Sequence, residues 1–172
     1  MAKKGGLNPD WKQNVSVSAY HPVLSSVVFR NQTLEGGGST MDVNTGEFVD
    51  TSDPTKDTYV VGGEPDIKGN KIREKVRPQS ELADPAHFSA HVNRIRKATG
   101  GRLGASLGAW TKGKKVVLDA SSQEPDLNRA MMKAEDRNEE AVWSSKKFRE
   151  SGNAFDGDIA NPNFDPSKKK KK

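Results

Sequence analysis

Near the middle of the chain lies a helix with both of its ends written into the sequence. Asp84 offers an N-cap side chain, and Pro85 suits the first helical position, where a missing N–H costs nothing. Phe88, His91, Val92 and Ile95 follow at helical spacing, and Gly100-Gly101 stops the element. The next residues change period. Leu103 to Trp110 are small and apolar, Thr111-Lys112-Gly113-Lys114 reads as a turn, and Lys115-Val116-Val117-Leu118-Asp119 is a β-branched strand, so a hairpin follows the helix. A capped helix beside a hairpin commits this part of the chain to a mixed α+β fold.

The neighbouring segments extend the pattern. Tyr59-Val60-Val61, closed by Gly62-Gly63, predicts a strand before the helix. Pro125 opens a second amphipathic helix whose stripe is Leu127, Ala130, Met131 and Ala134, and Ala141-Val142-Trp143-Ser144 predicts a last strand. Strand, helix, strand, strand, helix, strand is the order of a small ferredoxin-like (βαββαβ) domain, expected over residues 58–148. Residues 13–57 read as a strand-rich extension. Val15, Val17 and Ala19 alternate with serines, Val27 to Phe29 suggest a second strand, Gly36 to Ser39 a flexible break, and Asn44-Thr45-Gly46-Glu47 a turn into Phe48-Val49. Residues 1–12 and the basic tail 149–172 are expected to be disordered.

Composition supports a modest core. Among 172 residues 32% are hydrophobic and 6% aromatic, near the border where burial stops covering the entropy of ordering a chain. No cysteine is present, so disulfides are impossible. No apolar run approaches the roughly 20 residues of a membrane span, and no export signal is read at the N-terminus, so the expectation is a soluble protein without a membrane partner. Lys plus Arg number 28 against 23 Asp plus Glu, but Lys168, Lys169, Lys170, Lys171 and Lys172 supply the whole excess of five. The rest of the chain is neutral, which argues against a broad phosphate-tracking surface.

Motifs that could carry chemistry fail on context. Gly104-Ala105-Ser106-Leu107-Gly108 matches the nucleophile-elbow spacing, but a strand follows it instead of a helix and every histidine precedes it. His87 and His91 stand four apart as zinc ligands can, yet Phe88 occupies the position of the general-base Glu and no third ligand is evident. Gly100-Gly101-Arg102-Leu103-Gly104 lacks the end of a P-loop, and Asp42 to Gly46 starts like a calcium loop but places its glycine one position early. No catalytic residue, metal ligand or cofactor is therefore assigned.

Tyr59, Trp110 and Trp143 lie on three predicted strands and could form a base-stacking platform, although core packing is the expected role. Arg102, Lys112, Lys114 and Lys115 around the hairpin, together with the five terminal lysines, are the candidate nucleic-acid contacts. Lys71, Arg73, Lys75 and Arg77 alternate in what reads as a solvated loop.

The run from Tyr59-Val60-Val61-Gly62-Gly63-Glu64-Pro65 through Gly108-Ala109-Trp110, Leu118-Asp119-Ala120-Ser121, Pro125-Asp126-Leu127, Ala130 and Arg137-Asn138 resembles a segment of uncharacterised actinobacteriophage and prophage proteins. Glu139 stands where that pattern has Gln. The resemblance implies a phage accessory module in the cytoplasm of an infected bacterial host or in the virion, and no activity. The expectation is a non-enzymatic protein acting by association with a phage or host protein. The alternative is a nucleic-acid-associated phage protein that uses its lysine tail.

Overall fold

The computed structural model describes residues 21–170. Among these the chain is α+β, with four α-helices and one seven-stranded antiparallel sheet. The order is α1 (Pro22–Gly36), β1 (Gly38–Asp42), β2 (Tyr59–Val61), β3 (Lys75–Pro78), α2 (Pro85–Ala98), β4 (Ala105–Lys112), β5 (Lys115–Glu124), α3 (Leu127–Arg137), β6 (Ala141–Ser144), α4 (Ser145–Ser151) and β7 (Asp158–Ala160). Strands lie side by side as β1-β4-β5-β2-β6-β7, with β3 paired to β5. Both β3 and β2 line one edge of β5, β3 against Lys115 to Leu118 and β2 against Ser122 to Glu124.

The local signals explain the ends of the middle helices. Asp84 Oδ1 accepts the N–H of Ala86 at 2.8 Å and Pro85 opens α2. Asp126 Oδ1 accepts that of Arg129 at 2.9 Å, and Asn138, at φ 52°, closes α3 in the left-handed conformation that asparagine tolerates.

Four expectations need correction. The strand over Val27 to Phe29 is instead part of α1, with Pro22 at its start and Gly37 at φ 84° past its end. Phe29 is fully buried, its ring 5.2 Å from that of Phe88, and this packing overrides the β propensity of Val27-Val28. Gly38 and Ser39 are the start of β1, paired in register with Trp110 and Ala109, so residues 22–49 belong to the same core as the remainder. The alternating strand over Val15, Val17 and Ala19 lies outside the described residues, as do residues 1–12. A four-stranded ferredoxin-like domain is too small a description, because β1, β3 and β7 join the sheet. The region 149–170 is not structureless, since β7 pairs with β6 and Asn138 exchanges two 2.8 Å hydrogen bonds with the backbone of Asp165.

The sheet is covered by its long helices on one face. Val116, Leu118 and Ala120 of β5 and Ala105, Leu107 and Ala109 of β4 pack with Phe29, Phe88, Val92 and Ile95. A smaller cluster joins Val61 and Val142 to Ala130 and Ala134, with Tyr59 and Met131 beside them. Glu64, 1% exposed, ties the two regions: it accepts from Arg102 at 2.6 Å and from Arg137 at 2.5 Å. Cationic partners on both carboxylate oxygens offset the cost of burying that charge.

Candidate functional site

Side chains on a strand alternate between faces, so the residues of β5 that do not meet the helices, Val117, Asp119, Ser121 and Gln123, point to the other side of the sheet. That side carries a cavity of about 470 Å³. Its floor is made of small residues in register: Gly108 lies opposite Thr40 and Asp119, and Gly62 and Ala141 continue the surface across β2 and β6. Val49 and Thr51, from the loop after β1, form part of one rim, and Phe148 of α4 part of another. Trp110 and Trp143 stand toward the two ends, and the Trp143 ring meets Phe148 at 5.6 Å.

The polar lining is acidic. Asp119, Glu74, Glu139, Glu140 and Asp158 all border the cavity. Asp119 is only 8% exposed. Its carboxylate lies between two glycines: a β-carbon at Gly108 would come within 2.3 Å of Oδ1, and one at Gly62 within 3.3 Å of Oδ2. Burial, reinforced by the carboxylates of Glu74 and Glu139 and opposed by Lys71, pushes the Asp119 carboxyl up to about 7. Lys71 is itself paired with Glu139 at 2.6 Å. Beside this group Ser121, 1% exposed, has a buried Oγ without a hydrogen-bond partner among the described residues. An ionisable carboxyl near neutrality, an unsatisfied hydroxyl and aromatic ends make a surface suited to cationic, hydrogen-bond-donating groups.

The residues singled out from the sequence fall elsewhere or apart. Arg102 is held by Glu64 and by the carbonyls of Pro65 and Asp66, whereas Lys112, Lys114 and Lys115 are exposed around the hairpin turn at the far end of β4, roughly 25 Å along the strand. These four do not form one patch. Lys168 is exposed in a short turn of helix over Pro166–Lys170, which also carries Lys169 and Lys170, while Lys171 and Lys172 lie outside the described residues. The aromatic trio is split, with Tyr59 packed on the helix-covered face and the two tryptophans on the cavity side.

Ser106 sits inside β4, where its Oγ donates to the carbonyl of Gly104 and accepts from Gln123, so it is not on an elbow. His87 and His91 both approach Glu81, at 3.8 and 3.2 Å, and burial holds the His91 imidazole below its ordinary value. Among the described residues no three acidic or histidine side chains gather in a metal-holding arrangement. Asp42 Oδ1 accepts the N–H groups of Asn44 and Thr45, a turn as expected.

Asp119 and Ser121 were not singled out as site residues by sequence reasoning. The available signal was the alternation Val117, Asp119, Ser121 on one face against Leu118, Ala120 on the other, which marks a polar second face without saying that it is enclosed. Comparison of the chain with protein-family models, with curated proteins and with solved structures finds no match.

Proposed function

We propose that this chain is a non-enzymatic binding protein, of phage or prophage origin, that associates with another protein through the face of the sheet opposite its long helices. In this reading β6-β2-β5-β4 with α2 and α3 form a split βαβ core of ferredoxin-like type, and β1, β3 and β7 enlarge the sheet. The cavity over Asp119 and Ser121 carries the proposal, because a concave floor bordered by two tryptophans, with the Ser121 hydroxyl unsatisfied, is what a recognition surface presents. The acidic lining favours a protein over a nucleic acid at this face, since phosphates would meet five carboxylates. The nucleic-acid reading is supported by the lysine run alone.

Photo-crosslinking separates the two. A photoreactive residue placed at Thr40, in the cavity, should give one dominant protein adduct in host cells, insensitive to nuclease, and the same residue at exposed Lys97 of α2 should not. Nuclease-sensitive adducts at Thr40, or no adduct there together with salt-sensitive retention on DNA that disappears when Lys168–Lys172 are deleted, would replace this reading with the nucleic-acid one.

A further inference from the structure

Among the described residues one place pairs a buried carboxylate, Asp119, with a buried hydroxyl, Ser121, that has no hydrogen-bond partner. Several acidic groups elsewhere are compensated: Glu64 by Arg102 and Arg137, Glu124 by Lys133, and Asp57 by the hydroxyls of Ser144 and Ser145 and the N–H of Lys146. The smaller basic cavity near Gly63 and Gly69 has its Lys71, Lys133 and Arg137 already bound to Glu139, Glu124 and Glu64.

We propose that the groove takes a basic, extended peptide segment of the partner protein, with one lysine or arginine side chain of that segment placed over the Asp119 carboxylate, which itself fills the space between Gly108 and Gly62, and beside the Ser121 hydroxyl. The proposal rests on the reading of this face as the partner-binding surface. An ammonium or guanidinium group brings several N–H donors, which meet both the carboxylate and the unsatisfied Oγ of Ser121, whereas an apolar side chain would leave both groups dry and unpaired. Trp110, whose cross-strand partner is Val117, is the diagonal neighbour of Asp119 and lines the same groove.

Length points to a peptide instead of a small amine. Trp110 is level with Val117 of β5, and Trp143 is level, through Val60, with Gln123. Those two positions are roughly 20 Å apart along the strand, the span of about six extended residues. Asp158, the cross-strand partner of Trp143, borders the groove at that end, where a further basic residue of the segment would lie.

Entry of a cation favours the ionised carboxyl, so affinity should rise from pH 5.5 to pH 8. The charged groups around Asp119 are Glu74 before β3, Glu139 before β6, Lys71, and Arg94 of α2, and Asp119 is the buried one held near neutrality.

The test is fluorescence anisotropy of a labelled Ala-Lys-Ala-Lys-Ala-Lys peptide with the full chain at low salt, beside the same peptide with its lysines acetylated. Acetylation should weaken binding at least tenfold. At pH 8 Asp119→Asn should weaken binding of the lysine peptide by a similar factor, and Lys97→Ala should leave it unchanged. Equal binding of the two peptides, or wild-type affinity in a folded Asp119→Asn, overturns the proposal, and if that variant does not fold the acetylated peptide decides alone. Binding that emerges only after deletion of Lys168–Lys172 would assign the groove to the chain's own tail and also overturn it. A Thr40 crosslink to an acidic or neutral partner segment would leave the association reading standing and remove this one. Lysine-peptide binding without any Thr40 adduct in cells would leave the groove's preference for a basic segment standing and overturn its assignment to a partner protein.

Discussion

Asp119 is placed where its charge costs stability. A carboxyl whose pKa is higher in the folded than in the unfolded chain keeps its proton preferentially in the native state between the two values. With 3.8 as the ordinary value and about 7 in the fold, its contribution is complete below about pH 4 and is lost as pH rises through 7. The full swing is of the order of 4 kcal/mol. Denaturant titrations at a series of pH values should therefore show wild-type stability falling between pH 4 and 8, and Asp119→Asn should flatten the decline. The adjacent glycine is equally constrained: Gly108→Ala places a methyl against the Asp119 carboxylate and 3.2 Å from Ser121 Oγ. It should cost about 1–3 kcal/mol, measured by urea unfolding, and the cost should shrink when Asp119→Ala is made as well.

At the scale of elements, α1 is the test of how the N-terminal part belongs to the fold. Phe29 lies between Phe88 of α2 and Phe48 of the following loop, with ring distances of 5.2 and 6.4 Å. Phe29→Ala should cost about 3–5 kcal/mol in thermal or chemical unfolding, whereas a loosely attached extension would show almost none. The elements legible in the sequence were those with end signals or a single period. The α2 boundaries follow from Asp84, Pro85 and the glycines, the β4–β5 hairpin from its turn, and β2 matches Tyr59–Val61. Helix α1 was hidden because Val23, Leu24 and Val27 remain exposed while Ser26, Phe29 and Thr33 are buried, so its apolar residues do not trace the buried face. Strand β3 was hidden because Lys75 and Arg77 flank Val76, and what makes that run a strand is the neighbouring edge of β5, which no local pattern encodes. The site was illegible for the same reason. Asp119 is read as a polar strand residue, and its enclosure comes from Gly62, Glu74 and Glu139, all distant in sequence.

The whole molecule is a sheet with unequal faces. One is sealed by α1, α2 and α3. The other is floored by glycine, serine and alanine and bordered by acids and two tryptophans. Because β1 and β7 are the outer strands of one continuous sheet, unfolding should be a single transition, with fluorescence and circular dichroism coincident. Deleting Lys168–Lys172 should leave its midpoint unchanged, since Lys168 is exposed and its backbone N–H bonds to the nearby carbonyl of Asp165.

The most direct measurement on the proposed partner-binding face is hydroxyl-radical footprinting of the protein alone and in complex with whatever protein the Thr40 crosslink captures. Trp110 and Trp143 should lose labelling in the complex while Leu24 and Met132, exposed on the helix side, keep theirs. Protection of Leu24 and Met132 with unchanged labelling of the two tryptophans would contradict it.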